Sequence, residues 1–422
     1  MKKLLLEIKE LFIITKNKGF FHLLFSNIFV NFFAFGSQLL VAWILTPVEL
    51  GQIKILQAFV SVAVIFASFG FDSSTLKLCS ENIDITKKKE LFKSANIFTT
   101  YTTLFTYIIL YILSFFNIIS SDNFINKYFN LFLIALIPQT FNMLHFSYLQ
   151  ALKKIELIAK ISVYSKTISF IFIIIITYFF NVFGFIIAFL LGYLFTSIFL
   201  YKNIKADLAK ISVSLYSYFP VHWKYSKFAF LSNLTSGLTR YLDLFIINYF
   251  IADRISIGMY SFALNVILVL QIIGDTIQKI SIPHFSENSS NINNWKIIFN
   301  KYYKIFIIIT LIILIILNIF IEPFIQFIFN NKYDNSLIFI RILSLRWFFY
   351  ALVQFQGSAL FGLGKINYNF YGSLVFLIIN FIIQYILVIN YGIFGVVYGV
   401  TIGNFIYYFI YSIIFKYAYR SS

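Results

Sequence analysis

Ala151-Leu152-Lys153-Lys154-Ile155 returns 211 positions later as Gly362-Leu363-Gly364-Lys365-Ile366, and the two glycines that follow the first copy, Gly184 and Gly192, return at the same offset as Gly395 and Gly403. Nearer the start, Leu50-Gly51 opens one long hydrophobic stretch and Ile257-Gly258 opens another, 207 positions on. The offset is close to half of the 422-residue chain. Self-similarity at that period marks an internal duplication, and paired repeats around a central site are the architecture of secondary transporters.

Composition places the duplication in a membrane. Apolar residues make up 60% of the chain and charged residues 12%. The runs Ile168–Phe180, Ile305–Phe320 and Ser373–Ile389 contain no charge. A crossing takes about 20 residues, so expected spans lie near 19–46, 51–78, 91–118, 128–151, 155–180, 182–201, 223–251, 256–284, 296–329, 333–362, 366–389 and 392–416. The apolar stretches are continuous and not alternating, which excludes a membrane β-barrel. The expected fold is all-α: a polytopic membrane protein of about twelve transmembrane helices, in two six-helix lobes related by a pseudo-two-fold axis along the membrane normal. Five parts follow. Residues 1–18, with five lysines, form a basic interfacial segment and not a signal peptide. Residues 19–201 form the N-lobe, 202–222 a cytoplasmic linker, 223–416 the C-lobe and 417–422 a cytoplasmic tail.

Twenty-five of the 33 basic residues fall on one side of this arrangement, among them Lys87-Lys88-Lys89, Lys153-Lys154 and Lys365. The other side holds only Lys54, Lys127, Arg254 and Lys332. That asymmetry puts both termini in the cytoplasm. It also accounts for most of the +17 net charge, so nucleic-acid binding is not indicated.

Polar groups inside spans are costly and mark candidate sites. In the seventh span Asn233, Ser236, Arg240 and Asp243 share one helical face. In the first, Asn27, Asn31 and Gln38 do the same. The second carries Lys54, Gln57 and Asp72, and the eighth Asn265 and Asp275. These four are corresponding members of the two halves, and their polar faces would line a water-filled cavity. Two readings stand for Arg240 and Asp243, which could line that cavity or neutralise each other. Lys54 could face the cavity or snorkel to the interface. Lys166 stands among serines in the fifth span, and Arg346 lies deeper in the tenth than Arg341. The tyrosines and tryptophans read as an interfacial girdle.

Chemistry of other classes is not visible. The single cysteine, Cys79, and four scattered histidines offer no metal or cofactor site. Gly362-Leu363-Gly364-Lys365 lacks the hydroxyl residue and upstream spacing of a phosphate loop. No nucleophile motif or carboxylate pair occupies a soluble loop, so an enzyme is not expected.

Leu40–Gly51 (Leu-Val-Ala-Trp-Ile-Leu-Thr-Pro-Val-Glu-Leu-Gly), Phe69–Ser74, Tyr241-Leu242-Asp243, Gly258-Met259-Tyr260, Gly362–Lys365 and Tyr391–Gly395 together resemble polysaccharide flippases of the multidrug/oligosaccharidyl-lipid/polysaccharide exporter superfamily, over nearly the whole chain. The resemblance implies alternating access and, as cargo, a polyprenyl-pyrophosphate-linked oligosaccharide of the O-antigen or capsule type. It further implies a bacterial inner membrane, contact with membrane lipids, and polymerase and chain-length partners; a coupling ion, H⁺ or Na⁺, would act through Asp243, Asp72 or Asp275. A drug exporter of the same superfamily would call for acidic cavity charge, whereas Lys166, Arg240, Arg341 and Arg346 are basic. A major-facilitator carrier would show its Gly- and Arg-rich signature where Ser80–Lys89 stands. A polysaccharide polymerase or ligase needs a large external loop, and the connection around Ile119–Lys127 is short.

Overall fold

The computed structural model describes residues 20–208, 215–287 and 292–420, excepting the side chains of 20–28, 272–281, 283, 284, 287, 366 and 420. The basic segment expected at 1–18 lies outside the described residues, as do 209–214 of the linker and 421–422 of the tail. Among the described residues the chain is helical. The elements are α1 (Phe20–Ile44), α2 (Pro47–Ser68), α3 (Phe71–Cys79), α4 (Ile85–Phe115), α5 (Asn123–Leu133), α6 (Leu136–Ala151), α7 (Ile155–Leu208), α8 (Leu215–Phe250), α9 (Arg254–Glu287), α10 (Ile292–Phe329), a 3-10 turn at Asp334–Ser336, α11 (Leu337–Gly362) and α12 (Ile366–Arg420).

These elements correspond to the twelve expected spans through two breaks and two fusions. The second and fourth spans were expected as unbroken helices over 51–78 and 128–151, and both are interrupted. The second breaks between α2 and α3, where Phe69 and Gly70 take left-handed φ values of 46° and 73°. Close packing also demands glycine there: a Cβ on Gly70 would lie 2.3 Å from the carbonyl oxygen of Ser226. The fourth span is α5 and α6, bent by 46°. Conversely, α7 joins the fifth and sixth spans across Asn181 (φ 49°, ψ −130°), and α12 joins the last two across Gly392 (φ 55°, ψ −133°).

The two kinks are themselves 211 positions apart, so the duplication is written in the backbone as well as in the sequence. The quoted passages match at the same depth. Lys153 N–H donates to the Gln150 carbonyl and Lys154 N–H to that of Leu149, at 2.9 and 3.0 Å. Gly364 and Lys365 donate to Phe361 and Leu360 at 3.0 and 2.9 Å. Both are helix ends closed by a left-handed residue, Lys153 at φ 57° and Gly364 at φ 75°.

The chain divides into two compact units. One comprises Met1–Ile44, Phe59–Ile119 and Asn126–Leu234, the other Leu45–Ala58, Ser120–Ile125 and Thr235–Ser422. The first unit buries Leu78, Phe92, Tyr148, Leu149, Leu200 and Ile204 as a core, with Phe92 stacked on Tyr148 at 3.8 Å. The start of α8 belongs to this unit. His222 Nε2 donates to the Leu91 carbonyl at 3.1 Å, since a carbonyl only accepts, and Nδ1 therefore accepts from the Ser74 hydroxyl at 2.8 Å. One turn earlier, Tyr218 donates to Glu90, and that bond pushes the phenol up to about 12.

In the second unit the start of α2 crosses the start of α9 at Gly51 and Gly258. A Cβ on Gly51 would stand 2.9 Å from the Gly258 nitrogen, and one on Gly258 would stand 1.9 Å from the Pro47 carbonyl oxygen. The pair of glycines noted at an offset of 207 are thus in contact. Close by in sequence, Asp122 accepts from Gln52 Nε2 at 2.9 Å and pairs with Arg254 Nε at 3.2 Å.

Candidate functional site

The second half of α8, with α9, α11 and both limbs of α12, encloses a polar pocket of about 490 Å³ inside the second unit. Helical spacing builds it. Ser236 and Arg240 project from α8 four residues apart, and Arg346, Tyr350 and Gln354 do so from α11. Asn369, Ser373 and Phe376 come from the first limb of α12, and Asn404, Tyr407 and Tyr411 from the second.

The two arginines differ in state. Asp243, 2% exposed, accepts from Arg346 at 3.3 Å, from the Tyr260 hydroxyl at 2.5 Å, and through its other oxygen from the Leu244 N–H at 2.9 Å. Asp243 is therefore the partner of Arg346, and the alternative expectation that Arg240 neutralises it does not hold. A carboxylate placed C-terminal to an arginine on the same helix is poorly oriented for that pair, and α8 turns Asp243 toward α9 and α11 instead. Arg240 is exposed in the pocket and has no hydrogen-bond or ion-pair partner among the described residues. A guanidinium left unpaired among helices of this apolarity keeps all its donors uncommitted.

The remaining wall is neutral. Tyr411 donates its hydroxyl to Asn369 Oδ1, and Asn369 Nδ2 donates to the Gly357 carbonyl at 3.0 Å. Behind it, Gln356 donates to the Tyr303 hydroxyl at 3.1 Å and the Ser412 hydroxyl at 3.0 Å. Tyr407 stacks on Phe376 at 4.4 Å. Asn404 Nδ2 donates to the Val400 carbonyl at 2.7 Å, while its Oδ1 is buried without a partner among the described residues.

Of the fourteen residues singled out in the sequence, Ser236, Arg240 and Arg346 line this pocket and Asp243 anchors one of them. Lys54, Gln57 and Asn265 also belong to the second unit. Lys54 is 9% exposed, so it does not reach outward as a snorkelling lysine does. Asn265 is fully buried, with neither amide atom bonded among the described residues. Asn31, Gln38, Asp72, Lys166 and Asn233 fall in the first unit. There Asp72 is buried, with Oδ2 accepting from Ser73 at 3.1 Å and Oδ1 unpartnered among the described residues, and Lys166 is exposed. The side chains of Asn27 and Asp275 lie outside the described residues. The tenth, eleventh and twelfth spans supply pocket residues that sequence reasoning passed over, Tyr350, Gln354, Asn369, Asn404, Tyr407 and Tyr411. Their signal was present as amides inside spans and as the one-turn pair Tyr407 and Tyr411. Reading tyrosines as an interfacial girdle hid it.

The profile of a family described as polysaccharide biosynthesis protein matches residues 40–338. No curated protein sequence matches the chain. Among solved structures, the fold is similar to a multidrug resistance MATE family transporter of the MOP superfamily in its inward-facing conformation, with TM-score 0.76 and 13% identity over 93% of this chain and 95% of that one. It is similar to the lipid II flippase MurJ in an inward closed conformation, with TM-score 0.76 and 17% identity over 93% and 86% of the two chains. A MATE transporter from Vibrio cholerae, VcmN, follows at TM-score 0.61 and 14% identity over 98% and 97%. At these identities the likeness is one of fold.

Proposed function

Because the chain belongs to the polysaccharide biosynthesis protein family, we propose that it is a flippase, moving polyprenyl-pyrophosphate-linked oligosaccharide units from the cytoplasmic to the outer leaflet of a bacterial inner membrane for O-antigen or capsule assembly. The observation that carries this reading is Arg240, unpaired among the described residues in a pocket whose other charged lining residue, Arg346, is paired with Asp243 and whose remaining polar wall is amides and hydroxyls. A pyrophosphate-linked sugar is anionic at one end and densely hydroxylated at the other. A free guanidinium beside neutral hydrogen-bonding groups replaces both parts of its hydration. A cationic drug would instead need an uncommitted acid in the pocket, and Asp243 is already engaged by Arg346 and Tyr260.

Transport needs no nucleotide on this account. Moving one charge through 100 mV is worth about 2.3 kcal/mol, so outward passage of two negative charges from a negative cytoplasm gains roughly 4–5 kcal/mol. Coupling to H⁺ or Na⁺ would add to that drive. Translocation in proteoliposomes with the pH and sodium gradients collapsed separates the two cases, since an unchanged rate excludes obligate coupling.

The direct test is substitution of the free arginine. Arg240→Ala is expected to abolish surface polysaccharide, and Arg240→Lys to retain part of it, because the charge survives while the planar fork is lost. Normal surface polymer in Arg240→Ala cells with wild-type protein levels contradicts the assignment.

A further inference from the structure

We propose that the wall formed by Tyr350, Asn369, Phe376, Asn404, Tyr407 and Tyr411 is a glycan subsite that receives sugar residues of the cargo, leaving Arg240 for the anionic linkage. The inference rests on the flippase reading above and assigns separate tasks within its pocket.

Charge is the first support. Arg346 is compensated by Asp243, so apart from Arg240 the lining is electrically neutral. A neutral wall of amides, phenols and rings has little to offer a diphosphate. It suits a molecule that both donates and accepts hydrogen bonds along its edges and presents apolar C–H faces, which describes a pyranose. The stacked pair of Tyr407 and Phe376, 4.4 Å apart and within 19° of parallel, supplies a flat apolar surface.

Unmet hydrogen-bonding capacity is the second. Asn404 is 1% exposed and its Oδ1 lacks a donor among the described residues. A buried acceptor of that kind is costly unless something supplies a proton to it, and a sugar hydroxyl does so. The Tyr407 hydroxyl likewise has no partner among the described residues. Beside them, Asn369 and Tyr411 are fixed to each other and to Gly357. Part of the wall is thus preorganised and part retains unused hydrogen-bonding capacity, as in selective small-molecule sites.

Volume is the third. At about 490 Å³ the pocket lies within the usual range of small-molecule sites, about 300–1,000 Å³. That accommodates a short oligosaccharide.

The test uses the full chain, purified in detergent, and three probes. These are the intact lipid-linked oligosaccharide that cells lacking the gene are expected to accumulate, the oligosaccharide released from it by mild acid, and inorganic pyrophosphate. Asn404→Leu removes the orphan acceptor, and Tyr407→Phe removes one hydroxyl while keeping the stack. Thermal melting establishes that each variant is folded. Both are expected to weaken binding of the released oligosaccharide by about tenfold or more, with pyrophosphate binding unchanged. Wild-type affinity for the released oligosaccharide in both variants overturns the subsite. So does binding of the intact species by a wild-type protein that ignores the released oligosaccharide, a result that leaves the flippase reading standing. Failure of the intact species to bind overturns the flippase reading, and the subsite with it.

Discussion

Asp243 divides its carboxylate among Arg346, Tyr260 and its own helix backbone, and that division leaves Arg240 open. Removing one member of a buried ion pair strands the other. Arg346→Met is therefore expected to destabilise the protein by about 3–5 kcal/mol, visible as a lowered melting temperature in detergent. Asp243→Asn combined with Arg346→Met should recover most of the loss, because no unpaired carboxylate remains. A single variant as stable as wild type would show that the pair does not form. The sequence displays Arg240, Asp243 and Arg346 as charges inside spans, and two of these side chains, Asp243 and Arg346, do meet. Which acid serves which base was not legible, since it depends on the rotation of α8, α9 and α11 about their axes. Asn404 and Tyr407 gave an ambiguous signal for a related reason. One is an amide and the other a phenol, in spans where both types also serve packing and the interface.

Elements repeat as faithfully as residues do. Asn181 and Gly392 occupy the same backbone conformation at equivalent points of the two copies, and a positive φ with strongly negative ψ suits glycine far better than a side-chain-bearing residue. Asn181→Gly is expected to raise stability by about 1 kcal/mol and Gly392→Ala to lower it by a similar amount or more, both read from melting curves. A Gly392→Ala protein melting with wild type would mean that the kink carries no strain. The spans themselves were legible from unbroken apolar runs, and so were the glycines of the repeat. The break at Phe69 and Gly70 was not, because one glycine in an apolar run is an ambiguous signal; the close approach of the Ser226 backbone that demands glycine there comes from a segment some 150 positions away. Within the linker expected over 202–222, the described residues are helical through Leu208 and again from Leu215.

The whole molecule is an all-helical membrane protein whose duplication is visible in sequence, in helix ends and in kinks, with the fold of the MOP transporters and membership in a polysaccharide biosynthesis family. Fold class was legible because hydropathy and a long period are global signals that survive local error. Cargo was not, because the pocket proposed to receive it is assembled from side chains of α8, α9, α11 and both limbs of α12, which meet only in the fold. The central claim is that the protein carries a lipid-linked glycan outward, and leaflet location tests it most directly. Lipid-linked oligosaccharide is to be measured on each face of the inner membrane in cells lacking the gene and in cells complemented with wild type or Arg240→Ala. The account predicts accumulation on the cytoplasmic face without the gene, relieved by the wild-type protein and not by Arg240→Ala. An unchanged share of these intermediates in the outer leaflet when the gene is absent would contradict it.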